Sequence, residues 1–237
     1  MSTSAALYAA IDGTWPAAGF ASVGPWTLRD GRGGGKRVSA ATGDSTDTGV
    51  AADAMQARGQ RPLFMVQAGQ AALDQVLKAD GYAMLDPTNC YAAPVDMLTD
   101  LPIPPVTTFA IWEPLAIMAE IWAKGGIGPA RIDVMHRAQG PKTGILARWR
   151  EKPAGTAFAA IHDGIAMVHA VEVLEHQRRQ GVAGWIMRKA AFWARDNGAH
   201  TLAVLTTKAN GPANALYQRL GFTLVCDYHY REAPEDT

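Results

Sequence analysis

The sequence predicts a sheet domain of the α/β or α+β class, on three observations. Three apolar stretches with strand-like patterning follow one another, "TGILARWRE", "AGTAFAAIH" and "IAMVHAVEVL". Lys152-Pro153 and Asp163-Gly164 separate them, residues that tight connections favour. The pattern then switches to helix, strand, helix and a final strand: "VAGWIMRKAAFWARDNG", "HTLAVLTT", "GPANALYQRLG" and "FTLVCDYHYRE".

The earlier elements are read in the same way. Residues 30–49, "DGRGGGKRVSAATGDSTDTG", are rich in Gly, Ser, Thr and Asp and form a loop. A phosphate-binding loop is excluded there, because Asp30 stands at the first glycine position and Arg37 replaces the hydroxyl residue after Gly35-Lys36. A short helix "VAADAMQARG", a strand "LFMV" and a helix "QAALDQVLKADG" come next. "LTDLPIPPVTTF", with three prolines, reads as a linker, and "EPLAIMAEIWAKGG" as a helix.

Composition narrows the function. The 237 residues carry 22 basic and 22 acidic side chains, so broad electrostatic attraction to nucleic acid is not expected. No apolar run reaches the roughly 18 residues of a membrane span, so no membrane partner is expected. The N-terminus lacks the basic start of a signal peptide. Cys90 and Cys226 fit no metal-ligand spacing, which points to reduced thiols, a cytoplasmic setting and no metal. A metal-dependent hydrolase is set aside for the same lack of ligand clusters.

The informative stretch is "EHQRRQGVAG", Glu175 to Gly184, where a strand gives way to a helix. It offers neither Ser nor Asp as a cap. A helix N-terminus presents unpaired N–H groups and partial positive charge, so it can hold a phosphate if side chains stay clear. Gly181, Ala183 and Gly184 meet that condition, and Arg178 and Arg179 add charge.

"RRQGVA", Arg178 to Ala183, resembles the Arg/Gln-x-x-Gly-x-Gly/Ala signature of the GNAT superfamily of acyl-CoA N-acyltransferases. "NGPANALYQRLGF", Asn210 to Phe222, resembles the second half of that signature. The resemblance runs from about Phe109 to Arg231. It implies a mixed, mostly antiparallel sheet flanked by helices, with acetyl-CoA as co-substrate and an amine as acceptor. Carried onto matching positions, the backbone of Arg179, Gln180, Gly181, Val182, Ala183 and Gly184 would cradle the CoA pyrophosphate, with Arg178 adding charge. Val171 and Val173 would pair with the pantetheine arm, and Asn210, with Ala213 beside it, would hold that arm. Glu175-His176 depart from the Pro-Glu that many members carry in this turn.

For catalysis, Tyr217 stands where the family often places its general acid. Its ordinary pKa of about 10 keeps it protonated near neutrality. The Val171 N–H is the expected oxyanion donor. A frequent family base, a Glu four residues before Val171, is here Met167. Three alternatives stay open. His169 is one, since "MVHAV" resembles the strand of serotonin N-acetyltransferase whose histidines act as base. Glu172 and a water chain are the others. Alternation along the strand places Met167, His169, Val171 and Val173 on one face and Glu172 on the other. The acceptor would meet the thioester near "EIWAKGGIGPARIDVMHR", read as helix and mobile loop, with Trp112 and Trp122 as candidate lining. No acidic run there suggests a polycation, which favours a small amine or amino-acid derivative. A non-catalytic acyl-CoA-binding module is the alternative function.

One internal echo bears on organisation. "ALDQVLKADGYAML" resembles "ALYQRLGFTLV" when three residues are skipped, with Asp74 then opposite Tyr217. Read as a decayed copy, residues 1–100 form a degenerate GNAT-like domain without a cofactor site and residues 107–237 the catalytic domain. Such a tandem pseudo-dimer would be a monomer in solution; without it, a homodimer is expected.

Overall fold

The β-patterned stretches after residue 140 form three antiparallel strands, β7 (Lys142–Trp149), β8 (Lys152–His162) and β9 (Ile165–Val173), in a computed structural model that describes residues 3–235. The β8–β9 turn is Asp163-Gly164, both with positive φ (45° and 75°), which matches the twist that two-residue hairpins need. The β7–β8 turn is Arg150-Glu151, with φ of 48° and 64°, not Lys152-Pro153. Pro153 instead lies within β8, opposite a bulge between Ala147 and Arg148, where a missing N–H is tolerated.

The chain folds into two compact units, each assembled from separate stretches of sequence. The first holds the chain up to Pro16, Cys90–Leu205 and Pro212–Val225. The second holds Ala17–Asn89, Thr206–Gly211 and the chain from Cys226.

In the first unit, α1 (Ser4–Thr14) starts at Thr3, whose hydroxyl accepts from the Ala6 N–H. Its buried face is Leu7, Ala10, Ile11 and Thr14, a helical spacing that turns one stripe toward β8 and β9. β6 (Thr108–Ile111) is the edge strand beside β7. α4 (Ala116–Lys124) follows, and then α5 (Pro129–Arg137), where the sequence reading expected loop. Pro129 at the first turn starts α5 because proline's fixed φ suits that position. On the opposite sheet face lies α6 (Val182–Asp196). Its Ile186, Met187, Ala190, Ala191 and Ala194 pack on Ile145, Ala157, Ala159, Ala166 and Val168. β10 (Thr201–Thr207) pairs parallel with β9, and α7 (Gly211–Arg219) leads into β11 (Thr223–Glu232).

The second unit contains a three-stranded antiparallel sheet of β1 (Gly19–Val23), β2 (Trp26–Asp30) and β3 (Thr42–Gly43). α2 (Gly49–Gln56), β4 (Leu63–Gln67), α3 (Ala71–Ala79) and the part of β5 (Ala83–Pro94) up to Asn89 complete its N-terminal part. α1, β1, β2 and β5 have no counterpart in the sequence reading.

The echo is real as geometry, but its register is constant. α3 begins at Ala71 and α7 at Gly211, and β5 begins at Ala83 and β11 at Thr223, an offset of 140 in both cases. Each helix ends on a positive-φ glycine, Gly81 (82°) and Gly221 (86°). The next N–H then returns to the helix, Tyr82 to the Leu77 carbonyl (2.9 Å) and Phe222 to the Tyr217 carbonyl (3.0 Å). Leu77 is therefore the counterpart of Tyr217, and Asp74 that of Asn214, which corrects the pairing of Asp74 with Tyr217. The skipped residues are not skipped in space.

The last strands of the two repeats are exchanged. In the second unit β11 pairs with β4, and in the first β5 lies beside β10. Matching hydrogen bonds follow within the second unit. The Ala68 N–H donates to the Asp227 carbonyl (3.1 Å) and the Lys208 N–H to the Pro87 carbonyl (2.6 Å).

Asp74 accepts from Arg231 Nε at 2.7 Å and lies 2.6 Å from His229 Nε2, with Arg231 almost fully buried. The hydrogen bond from Arg231 holds the Asp74 carboxyl below its ordinary range, and His229 adds to the effect. The depressed value means its stabilisation is complete above the unfolded-state pKa of about 3.9 and is lost as pH falls through the lower folded-state value. Asp74→Asn is expected to cost about 2 kcal/mol at pH 7 by leaving Arg231 under-paired. Denaturant unfolding should show that cost shrinking below pH 4; an equal cost at pH 3 would remove the carboxylate from the account.

Candidate active site

β9 carries the site because its backbone breaks regularity at one residue. Ala170 has φ of 51°, in the left-handed region. The β8–β9 register slips there: Thr156 faces Glu172 but Phe158 faces His169. Trp122, wholly buried on α4, donates its Nε1–H to the Ala170 carbonyl at 2.8 Å. Trp122 is thus a brace for the bulge, not an acceptor-pocket lining.

The bulge reverses the expected faces. Val171 and Val173 pack with Ala166 and Val168 against the α6 core. His169 and Glu172 turn to the face of α1 and α4. Alternation predicts Val171 with His169; the extra residue at Ala170 swaps them.

The pairing of β9 with β10 ends at Val168 and Val204, while β9 runs on to Val173. A gap therefore opens beyond the bulge, and the chain reaches the "EHQRRQGVAG" turn at its edge. After a 3-10 turn at Glu175–Gln177, Arg179 (62°) and Gly181 (80°) have positive φ, and α6 begins at Val182. No side chain caps α6. The first intrahelical bond runs from the Trp185 N–H to the Gly181 carbonyl, so the N–H groups before it lie outside the helical ladder. A Cβ added at Gly181 or Gly184 meets nothing within 4 Å. Arg178, Arg179, Gln180 and Gly181 are exposed, Val182 is buried in the core, and Ala183 is half-buried.

The catalytic candidates separate by environment. His169 is 3% exposed and lies against Trp15 and Phe158, with ring centroids at 5.0 and 6.2 Å. Its Nε2 is 2.8 Å from the Thr14 hydroxyl, which itself donates to the Ala10 carbonyl. That leaves Nε2 to act as donor, which fixes the tautomer. Glu172 keeps 20% exposure. Its Oε1 accepts from Arg178 Nη2 at 3.3 Å, and its carboxylate lies so close to Gly125 that a Cβ there would overlap Oε2. The loop after α4 is also less free than its glycines suggest. The Gly125, Gly126 and Ile127 N–H groups all bond back to α4.

Tyr217 is 4% exposed in the cluster that includes Tyr91 and Phe222, at ring distances of 6.1 and 5.9 Å. Burial pushes its phenol well above its ordinary pKa. Ala213, one turn earlier on α7, packs against the same cluster. Asn210 precedes α7 in the second unit, its N–H donating to the Thr207 carbonyl at 3.0 Å. The sequence reading missed Tyr91, whose hydroxyl donates to Asn214 Oδ1 at 3.0 Å beneath α7. The constant offset of 140 would have pointed to it, since Tyr91 is the counterpart of Arg231. Among the described residues, no group of three His, Cys, Asp or Glu side chains could hold a metal ion, and no helix is long and apolar enough to cross a membrane.

Comparisons with known proteins agree with this geometry. Residues 112–222 match the model of the acetyltransferase (GNAT) family. An uncharacterized N-acetyltransferase, YobR of Bacillus subtilis (strain 168), is 28% identical over 82 residues, which is 35% of this chain and 33% of that protein. The chain thus matches only about a third of the length of that curated relative. A GCN5-related N-acetyltransferase from Kribbella flavida superposes with a TM-score of 0.73 at 20% identity, covering 100% of this chain and 97% of the other. A tandem GNAT protein from the clavulanic acid biosynthesis pathway superposes at 0.58 with 15% identity, over 90% and 79% of the two chains. The chain has the GNAT fold, and its segment 112–222 matches the model of the GNAT family of acetyltransferases.

Proposed function

We propose that this protein is an acetyl-CoA-dependent N-acetyltransferase that moves an acetyl group directly from the CoA thioester to a primary amine. The observation that carries the reading is Gly184. Glycine inside a helix costs about 1 kcal/mol against alanine, and here a Cβ would meet only open space. Nothing in the free protein requires glycine at that position; a pyrophosphate lying on the first turn of α6 does.

In this reading the pyrophosphate sits on the N–H groups from Arg179 to Gly184, with Arg178 adding charge. The pantetheine arm enters the gap beside β9 and hydrogen-bonds the backbone at Val171 and Val173, with Ala213 at its other flank. The thioester then lies by the bulge, where the Val171 N–H stabilises the oxyanion. Glu172, partly exposed on the α4 side, takes the proton of the incoming ammonium, and the freed nitrogen attacks the carbonyl carbon. The C–S bond breaks as Tyr217 delivers its proton to the departing thiolate, and the excess proton left on the new C–N nitrogen returns to the Tyr217 oxygen, giving the amide, free CoA and the phenol restored. His169, with its Nε2 committed to Thr14, positions β9 against α1 and does not serve as base.

The acceptor is a small amine or amino-acid derivative. Cys90 and Cys226 are both buried and not disulfide-bonded, which suits a cytoplasmic setting. Residues 1–100 are a degenerate GNAT-like half and residues 107–237 the catalytic one. A chain that carries two such repeats already holds what a dimer would supply, so light scattering should give the mass of a single chain; a dimer at micromolar concentration would sink that point alone.

At a hundredfold excess over Kd, acetyl-CoA should stabilise the protein by about 2.7 kcal/mol, a rise in Tm of roughly 5 to 10 °C. Gly184→Glu should abolish that rise while leaving the free protein as stable or more so, because it removes a helical glycine and adds an acid to the first turn. A retained rise would clear the α6 N-terminus of any role.

In turnover assays, Tyr217→Phe and Glu172→Gln should each lower kcat about 100-fold. Burial raises the Tyr217 pKa, so its proton is retained until pH passes that raised value. The wild-type kcat should accordingly show no alkaline fall below about pH 10. A fall centred near pH 8 would exclude Tyr217 as the acid.

A further inference from the structure

Arg178 and Glu172 belong to two different parts of the proposed machinery, yet in the cofactor-free protein they hold each other. Arg178 Nη2 donates to Glu172 Oε1 at 3.3 Å, and its Nε donates to the Val173 carbonyl at 3.1 Å. The guanidinium side is 58% exposed and the carboxylate 20%. The other carboxylate oxygen, Oε2, faces the Gly125 backbone. The glycine lets Glu172 lie against the end of α4, and Arg178 closes over the oxygen that remains.

We propose that this pair is a latch that makes the base depend on the cofactor. Without CoA, Arg178 occupies Glu172 Oε1, so an amine cannot use that oxygen as a proton acceptor. When the pyrophosphate settles at the α6 N-terminus, which begins at Val182, its doubly charged oxygens offer the guanidinium a stronger, bidentate partner than one long contact to a partly exposed carboxylate. Arg178 turns to the phosphate and Oε1 is released toward the acceptor. Cofactor binding thereby completes the site for the amine, and a charged amine arriving first finds the carboxylate already neutralised. The inference rests on the acetyltransferase reading, and specifically on Arg178 meeting the pyrophosphate.

The geometry makes a linkage prediction that needs no turnover. If Arg178 must leave Glu172 to bind phosphate, removing Glu172 should help CoA bind. Titration calorimetry of the full chain with CoA at low ionic strength reads this directly. Arg178→Gln should weaken CoA about tenfold. Glu172→Gln should tighten it about fivefold, which corresponds to about 1 kcal/mol at 1.4 kcal/mol per decade. In the double variant the gain should vanish, leaving the affinity of Arg178→Gln.

Glu172→Asp provides a second route. It keeps the negative charge but draws the carboxylate back from Nη2, and it should also tighten CoA in the Arg178 background. A simple repulsion between Glu172 and the phosphates would instead give the Glu172→Gln gain in both backgrounds and none for Glu172→Asp, which overturns the latch. Unchanged affinity in Glu172→Gln overturns it as well. No CoA binding by the wild type would overturn the acetyltransferase reading itself, an outcome distinct from either of these.

Discussion

A single residue outside the ordinary strand region, Ala170, sets the geometry of the candidate site. A left-handed conformation costs a non-glycine residue roughly 1 to 2 kcal/mol, so it persists only where the surroundings over-determine it. Here the buried Trp122 indole fixes the carbonyl that the bulge exposes. Four features of the site go with that braced bulge. The β8 ladder slips, the His169 and Val171 side chains part to opposite faces, Glu172 arrives against Gly125, and β9 runs on past the last residue that pairs with β10. Without the bulge, strict alternation would bury Glu172 in the apolar layer under α6, where an unpaired carboxylate is costly.

The repeat explains a second layer of the architecture. In the first unit the Tyr91 hydroxyl donates to Asn214, and in the second the Arg231 guanidinium donates to Asp74. Those four residues are related by the same offset of 140, so one contact between an exchanged strand and a helix has been kept with its chemistry changed. Around Tyr217 the surroundings are apolar rings; around Leu77 no acid remains to deliver a proton, and the neighbouring carboxylate is committed to Arg231 and His229. The two repeats thus share one packing arrangement, with Leu77 in the N-terminal repeat at the position that Tyr217 holds in the C-terminal one.

Much of this was legible in the residues, and the misses share physical causes. The strands β7 to β11 and helices α6 and α7 announce themselves through long periodic stretches and glycine punctuation. The turn before α6 stands out because it opens a helix without a capping side chain. The reversed faces of β9 were not, since a bulge in "HAVE" leaves no compositional mark: alanine is not a residue expected at positive φ and gives no warning. The Arg150-Glu151 turn hid for the same reason, beside a proline that looked like the better turn former. β5 and Tyr91 were lost because their partners are more than a hundred residues away, and local periodicity carries no record of exchanged strands. Counting the repeat by helix alignment alone shifted it three residues and gave Asp74 the wrong counterpart; the glycine and strand positions carried the true register.

Two glycines near the site show how structure and function leave different traces. Gly125 is explained within the free protein: a Cβ there collides with Glu172, so the close approach of α4 to the carboxylate demands it. Gly184 has no such neighbour and sits in the first turn of a helix that alanine would strengthen. A residue that weakens the free protein and relieves no contact is selected by something absent from it. The same argument applies to the Arg178–Glu172 pair. As a stabilising contact it is poor, long and partly solvated, worth about 1 kcal/mol or less. Its weakness is what suits it to exchange, because a tight ion pair would compete with the phosphate and hold the carboxylate out of reach. Both features fit a protein whose resting geometry is arranged for a ligand that arrives before the chemistry begins.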